Sequence, residues 1–374
     1  MERIFKNHRQ HILPIFFLAV LFFIHPVKAN AFSVHDRCGT DVYYSYTSDN
    51  GVLRISGNGP MNDYSYNYET ESYGRPWENW DIKTLIIEQG VTHIGSDAFG
   101  DDHCRFTNVV LPSSCISIGE NAFSSCEQLT DITLPEGLKT IGNYAFASSG
   151  LKSVTLPSTL TSYGDCIFSY CPSISTVTIN CNRVPESAFE HCGLINKVTF
   201  SSKCTSIDHY AFYGCDFPGN AITIPSTVKS IAQAGIGYGP AGEDCSETKG
   251  TLVIIGATGS GAFNYAKKYG FEFRISGYTA PKIKKAVNVK TRRIKLTWNR
   301  KTKTTGYQIA YSLSSGFKSG NKYITITKYK TTTKTTAKLK KNKTYYIRIR
   351  AYRTVSGKKC YSTWSSAKKV KIKK

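Results

Sequence analysis

A phenylalanine recurs at Phe99, Phe123, Phe146, Phe168, Phe189 and Phe212, at intervals of 21 to 24 residues, and this period constrains the fold more than any other feature. The surrounding segments share one pattern: NVVLPSSCISIGENAFSSCEQL from Asn108, DITLPEGLKTIGNYAFASSGL from Asp131 and SVTLPSTLTSYGDCIFSYCPSI from Ser153. Ahead of each Phe lies a short apolar pair of β type, from Leu85/Ile87 and Val109/Leu111 through to Val198/Phe200, and a seventh pair, Ile222/Ile224, follows Phe212. A Pro or polar turn follows, then Ile-Gly or a variant of it. One unit of this size cannot bury its own apolar face, so the units must stack. The pattern predicts a solenoid with a parallel strand ladder along one side and a single helical or 3₁₀ turn presenting each Phe.

The net charge of +22 is the sum of opposed parts. From Tyr278 to Lys374 there are 29 Lys plus Arg and no Asp or Glu, whereas residues 32–277 hold 15 basic against 25 acidic side chains. An acidic body is therefore joined to a basic tail, with a boundary near Ile275 to Pro281. The N-terminus carries Arg3, Lys6 and Arg9, then the apolar run Ile12 to Ile24 and a small-residue site, Ala29-Asn30-Ala31. That run is shorter than the roughly 18 to 20 residues that span a bilayer, and the pattern is that of a cleaved export signal. A secreted or surface location is expected.

With the repeats in view, the chain resembles bacterial surface proteins built from the BspA-like type of leucine-rich repeat. CGTDVYYSYTSDNGVLRISGNGPMNDY, Cys38 to Tyr64, is similar to the N-terminal capping hairpin of that family, and LVIIGATGSGAFNYAKKYGFEF, Leu252 to Phe273, to its C-terminal cap. The second stretch also looks like a dinucleotide turn, but it lacks the βαβαβ context and an acid about 20 residues beyond the glycines. No cofactor is expected. The tail resembles a fibronectin type III module through Trp298, GYQIAYS from Gly306, and Leu339 six residues before Tyr345 as in a tyrosine corner. The fold class is mainly β with short helical turns: a leucine-rich-repeat solenoid followed by an all-β, immunoglobulin-like (fibronectin type III) sandwich. The expected organisation is a signal peptide at 1–31, an N-terminal capping hairpin and loop at 32–84, repeats at 85–251, a C-terminal cap at 252–275, a linker at 276–281 and the sandwich at 282–374.

Twelve cysteines in an exported chain invite a disulfide framework, but eight of them follow the repeat register. Cys104, Cys126, Cys171, Cys192 and Cys215 follow the repeat Phe, and Cys115, Cys181 and Cys204 fill slots that other units give to Val or Leu. They are expected as reduced core residues, not zinc ligands. Cys38, Cys166, Cys245 and Cys360 have no assignment. His93 falls at a slot held elsewhere by Ser, Thr or Arg183 and is expected to be solvated. No catalytic constellation is evident, and a non-enzymatic protein is expected. DYSYNYETESYGRPWENW, Asp63 to Trp80, reads as a cover for the first rung or as a sugar-stacking loop.

In the tail, alternation with Ile347 and Ile349 inside places Tyr346, Arg348, Arg350 and Tyr352 outside. With Lys338, Lys340, Lys341, Lys343, Lys358 and Lys359 these form a candidate polyanion surface, Tyr346 and Tyr352 being the aromatic contacts. Of the 29 basic residues 23 are Lys, which suits diffuse attraction to polyanions, with no motif for reading DNA sequence. The family resemblance implies adhesion. The expected function is a surface binding protein for host or bacterial proteins or glycans, with the basic module held on an anionic wall polymer, glycan or nucleic acid. The alternative is a spacer or self-associating surface-layer component without a specific ligand.

Overall fold

The computed structural model describes residues 32–100, 104–241 and 246–373; the expected leader and Cys245 lie outside them. Each rung begins with a short strand, among them Asp131–Thr133, Ser153–Leu156, Thr176–Ile179 and Lys197–Phe200. Neighbouring rungs pair parallel and in register, Val154 beside Val177 and Val177 beside Val198. The expectation of one ladder is incomplete. The residues before the Ile-Gly dipeptide form a second parallel ladder, with Val91–Ile94, Ser117–Ile118, Thr140–Ile141 and Ser162–Tyr163 in one sheet. The glycine is required for this stacking: a Cβ on Gly142 would lie 2.5 Å from the Glu120 backbone nitrogen of the preceding rung.

The Phe turn keeps a single i→i+3 bond, Ala147 N–H donating to Tyr144 O at 3.0 Å, but does not extend into a helix. Left-handed residues flank it two positions away on each side, such as Tyr144 (φ 52°) and Ser148 (φ 57°) around Phe146, and they break any helical run. The turn also hydrogen-bonds to its neighbour, Phe146 N–H donating to Ile167 O at 2.9 Å. All six Phe rings are at most 1 % exposed and stack at centroid spacings of 5.2–5.5 Å, with Trp77 covering the first ring at 5.6 Å.

The eleven described cysteines are free thiols. Those following the Phe do more than fill space: Cys126, Cys171, Cys192 and Cys215 donate to the carbonyl oxygens of Phe99, Phe146, Phe168 and Phe189 at 2.9–3.2 Å. Each weak donor thereby satisfies a carbonyl buried in an earlier rung. The N-terminal end is covered by the antiparallel hairpin Val42–Thr47 and Val52–Gly57, which continues parallel into Thr84–Ile87. Tyr64 and Trp77 pack over the first rung, while Tyr68 remains 87 % exposed.

At the other end, strand β1 (Val253–Gly256), helix α1 (Gly261–Tyr269) and strand β2 (Glu272–Ile275) close the stack. Ser260 caps α1 by accepting from Phe263 N–H, and Gly270 (φ 77°) ends it. A Cβ on Gly261 would lie 2.4 Å from Lys229 O, so the glycine serves contact with the last rung and the helix N-terminus rests on protein backbone.

The tail forms two facing sheets. One joins β3 (Ile283–Val289), β4 (Arg293–Trp298) and β7 (Thr333–Thr335); the other contains β5 (Gly306–Ser312), β6 (Lys322–Ile326), β8 (Thr344–Val355), β9 (Lys358–Tyr361) and β10 (Lys368–Lys371). Ile294, Trp298, Tyr307, Ile347 and Ile349 are buried between them. Tyr345 Oη accepts from Lys340 N–H at 3.3 Å, closing the loop that leads into β8.

Candidate anion-binding surface and its joint to the solenoid

The twelve-residue strand β8 places every candidate basic residue. Its entry loop carries Lys338, Lys340, Lys341 and Lys343, all exposed; its exit turn carries Lys358, half-buried, and Lys359, exposed. At about 3.3 Å per residue these groups lie roughly 35 Å apart, at opposite ends of the sandwich. The expected single surface is therefore two. The entry loop lies at the end remote from the solenoid, where the turn containing Arg292 and the chain near Lys373 also arrive.

Two further expectations fail on burial. Arg350 is 5 % and Tyr352 1 % exposed, although both occupy the outer face of β8. Alternation correctly predicts the face, but that face is covered. Arg350 donates to both carboxylate oxygens of Glu272, at 2.7 and 3.0 Å, and to Gln308 at 2.9 Å. Its guanidinium lies 3.6 Å from the Tyr361 ring centroid and 4.4 Å from that of Trp364. Burial pushes the Glu272 carboxyl up, but hydrogen bonds and charge from Arg350, with help from Arg274, reverse this and hold it below the ordinary carboxylate value. Tyr352 packs against Tyr361, under Lys359.

Glu272 belongs to β2, so this ion pair crosses the acidic-to-basic boundary. The backbone crosses it too: β2 pairs parallel with β9, Phe273 beside Cys360 and Arg274 beside Tyr361. One eight-stranded sheet consequently runs from the last repeat through the cap into the tail. Cys360, without assignment from sequence, is fully buried at this joint and packs with the solenoid core.

Arg348 and Tyr346 remain partly open on the outer face of β8. Arg348 is held between two rings, 4.0 Å from the Phe317 centroid and 4.5 Å from that of Trp364. Sequence reasoning missed the serines that aim Trp364 here: Ser362 Oγ accepts from Ala351 N–H at 2.9 Å and Ser365 Oγ from Ile349 N–H at 3.1 Å. They replace strand carbonyls beside β8 and turn the intervening chain over its outer face.

Two features of the solenoid were also not anticipated. His93 is not a solvated side chain: it meets Ser117 Oγ at 2.7 Å through Nδ1 and Asp63 at 3.1 Å through Nε2, while Asp63 accepts from Ser96 N–H at 2.7 Å. The order Ser, His, Asp is that of a hydrolytic triad, but Ser117 sits mid-ladder with strands paired on both sides. The arrangement ties the capping loop to the first two rungs. Second, the turn face carries Glu120, Glu127, Asp165, Glu186 and Glu190 with exposed Tyr144 and Tyr170, and the described Phe turns contribute no Lys or Arg to it. Tyr170 stacks on His191 at 4.9 Å.

Residues 92–218 match six copies of the BspA type leucine rich repeat region. The solenoid is built of BspA-type repeats. No curated protein matches the chain. Among solved structures the chain is similar to a leucine-rich repeat protein from Eubacterium ventriosum, at 22% identity over 54% of this chain and 68% of that one, with a TM-score of 0.35. It is also similar to a leucine rich cell surface protein from Faecalibacterium prausnitzii, at 19% identity over 54% and 72%, with a TM-score of 0.29. The FN1-FN3 domains of chicken CNTN1 match at 18% identity over 27% and 32%, with a TM-score of 0.23. No helix among the described residues is long and apolar enough to cross a membrane.

Proposed function

We propose that this protein is a secreted or surface-displayed binding protein, in which a BspA-type solenoid presents the recognition face and a basic fibronectin-type module associates with a polyanionic surface. The observation that carries the reading is the segregation of charge: 29 basic residues and no acid from Tyr278 onward. Among the described residues only Glu272, contributed by the cap, forms an ion pair with a tail residue, and the lysines of the entry loop have no acid partner there. A field of this kind attracts polyanions and repels polycations. The BspA repeat supports a surface interaction role for the solenoid, and its acidic, tyrosine-bearing turn face suits a partner with exposed basic groups.

The test is retention of the whole chain on cell-wall preparations and on a sulfated glycan, across a series from about 50 to about 500 mM salt. Retention that persists at about 150 mM and weakens steeply above it supports the reading, since counterion release makes such binding salt-dependent. Absence of retention at the lowest salt refutes it. The opposed charges of the two parts also favour a second reading, a self-associating surface component; sedimentation would then show oligomers that dissociate as salt rises.

A further inference from the structure

We infer that the outer face of the β8/β10 sheet is a track for a linear anionic glycan, anchored at Arg348 and running to the lysines at the remote end of the sandwich. The inference rests on the polyanion reading and gives it an address and a substrate class.

Arg348 is the anchor because its charge is unmatched. No ion pair among the described residues involves it, its Nε is buried without a hydrogen-bond partner, and the nearby Glu272 already binds Arg350 through both oxygens. Phe317 and Trp364 hold the guanidinium plane from either side. A guanidinium fixed in this way presents a preorganised fork to a carboxylate or sulfate.

Register defines the rest of the track. In an antiparallel pair, opposite residues share a face. Tyr346 lies opposite Lys369 and Thr344 opposite Lys371, so both lysines stand on the same side as Arg348, and both are exposed. Beyond Thr344 the strand gives way to the entry loop, whose Lys343 and Lys341 are exposed at the end of this line. From Arg348 to Lys343 the distance is roughly 17 Å at about 3.3 Å per residue. Cationic groups along this line flank the half-buried ring of Tyr346, a surface suited to a polymer of sugar rings bearing anionic groups. Lys358 and Lys359 lie beyond the other end of β8 and take no part.

The experiment compares the whole chain with Lys369→Gln/Lys371→Gln, Arg348→Lys and the control Lys358→Gln/Lys359→Gln on heparin, polygalacturonate and duplex DNA. Heparin and polygalacturonate distinguish sulfate from carboxylate as the anchored group. The Lys369/Lys371 pair should lower the slope of log affinity against log salt by roughly 1.4, at about 0.7 per lost contact. Arg348→Lys should weaken glycan retention at least about threefold with the slope unchanged, because charge is kept and the fork is lost. The control should match the parent.

If the parent is retained on the glycans but the control shifts as much as the track variants, or if duplex DNA is held as tightly as either glycan, the track is wrong while the polyanion reading survives. If the parent is not retained at all, that reading fails first. The lysine pair is exposed and on a short outer strand, so an effect there does not depend on whether Arg348→Lys preserves the ring stack.

Discussion

Glu272→Gln tests whether the solenoid and the basic tail form one mechanical unit. The substitution removes a carboxylate that accepts two charge-assisted hydrogen bonds, at 2.7 and 3.0 Å, from an arginine whose side chain is 6 % exposed. Arg350 would keep Gln308 and its two aromatic neighbours but lose its counter-charge. Breaking a fully buried pair from one side costs roughly 3–5 kcal/mol. The Glu272 side chain is 29 % exposed, so water screens the uncompensated arginine, and the expected loss falls to about 2–3 kcal/mol. Urea unfolding of the parent, of Glu272→Gln, of Arg350→Met and of the double variant closes a cycle whose coupling should exceed about 1 kcal/mol. Small-angle scattering should show a broader distribution of separations between the two parts in Glu272→Gln. The dependence on pH has a definite sign. The folded carboxyl lies below its unfolded value of about 4.3, so its contribution is present above that pH and is lost as pH falls through the folded value. The gap between parent and Glu272→Gln should therefore close in acid. A coupling near zero at neutral pH, with unchanged scattering, would refute the joint as an electrostatic lock.

Phe146→Ala removes a ring in the middle of the stack, 5.3 Å from Phe123 and 5.2 Å from Phe168, and should cost about 3–5 kcal/mol and broaden the unfolding transition of the solenoid; a loss below 1 kcal/mol in calorimetry would contradict a continuous core. Burial pushes the thiols of Cys38, Cys115, Cys204 and Cys215 up to about 12, so alkylation of the native chain at pH 8 should be slow at these four, with half-exposed Cys166 labelled first, as read by mass spectrometry. Rapid labelling of Cys192, whose thiol burial also pushes up, would show that the rungs open locally.

The repeat was legible because it depends on side-chain burial at fixed spacing. Phe99 to Phe212 and the ladder pairs follow from period and local chemistry. The second ladder and the left-handed residues that stop the Phe turn from extending were not legible, because they depend on backbone pairing between rungs: Tyr144 and Ser148 around Phe146 are tolerated where the neighbouring rung supplies hydrogen bonds. The cysteine slots were half read. Their burial follows from pattern, but the bond from Cys171 to the Phe146 carbonyl depends on a rung 25 residues away.

The candidate site divides along the same line. Alternation along β8 correctly separates Ile347 and Ile349 from Arg348 and Arg350, because inward and outward faces are a local property. Whether the outward face meets water is not local. Glu272, 78 residues earlier, comes from the cap of the other part, and Trp364 arrives from a segment turned by two serine side chains. Their effect on two arginines one alternation apart is opposite: Arg350 acquires a counter-charge and becomes structural, while Arg348 acquires two flat neighbours and no counter-charge. A basic tail whose acids are all elsewhere can neutralise only those cations that touch the solenoid. Those that do not touch it, such as the lysines of the entry loop, have no acid partner among the described residues, and they lie at the end of the sandwich remote from the acidic body.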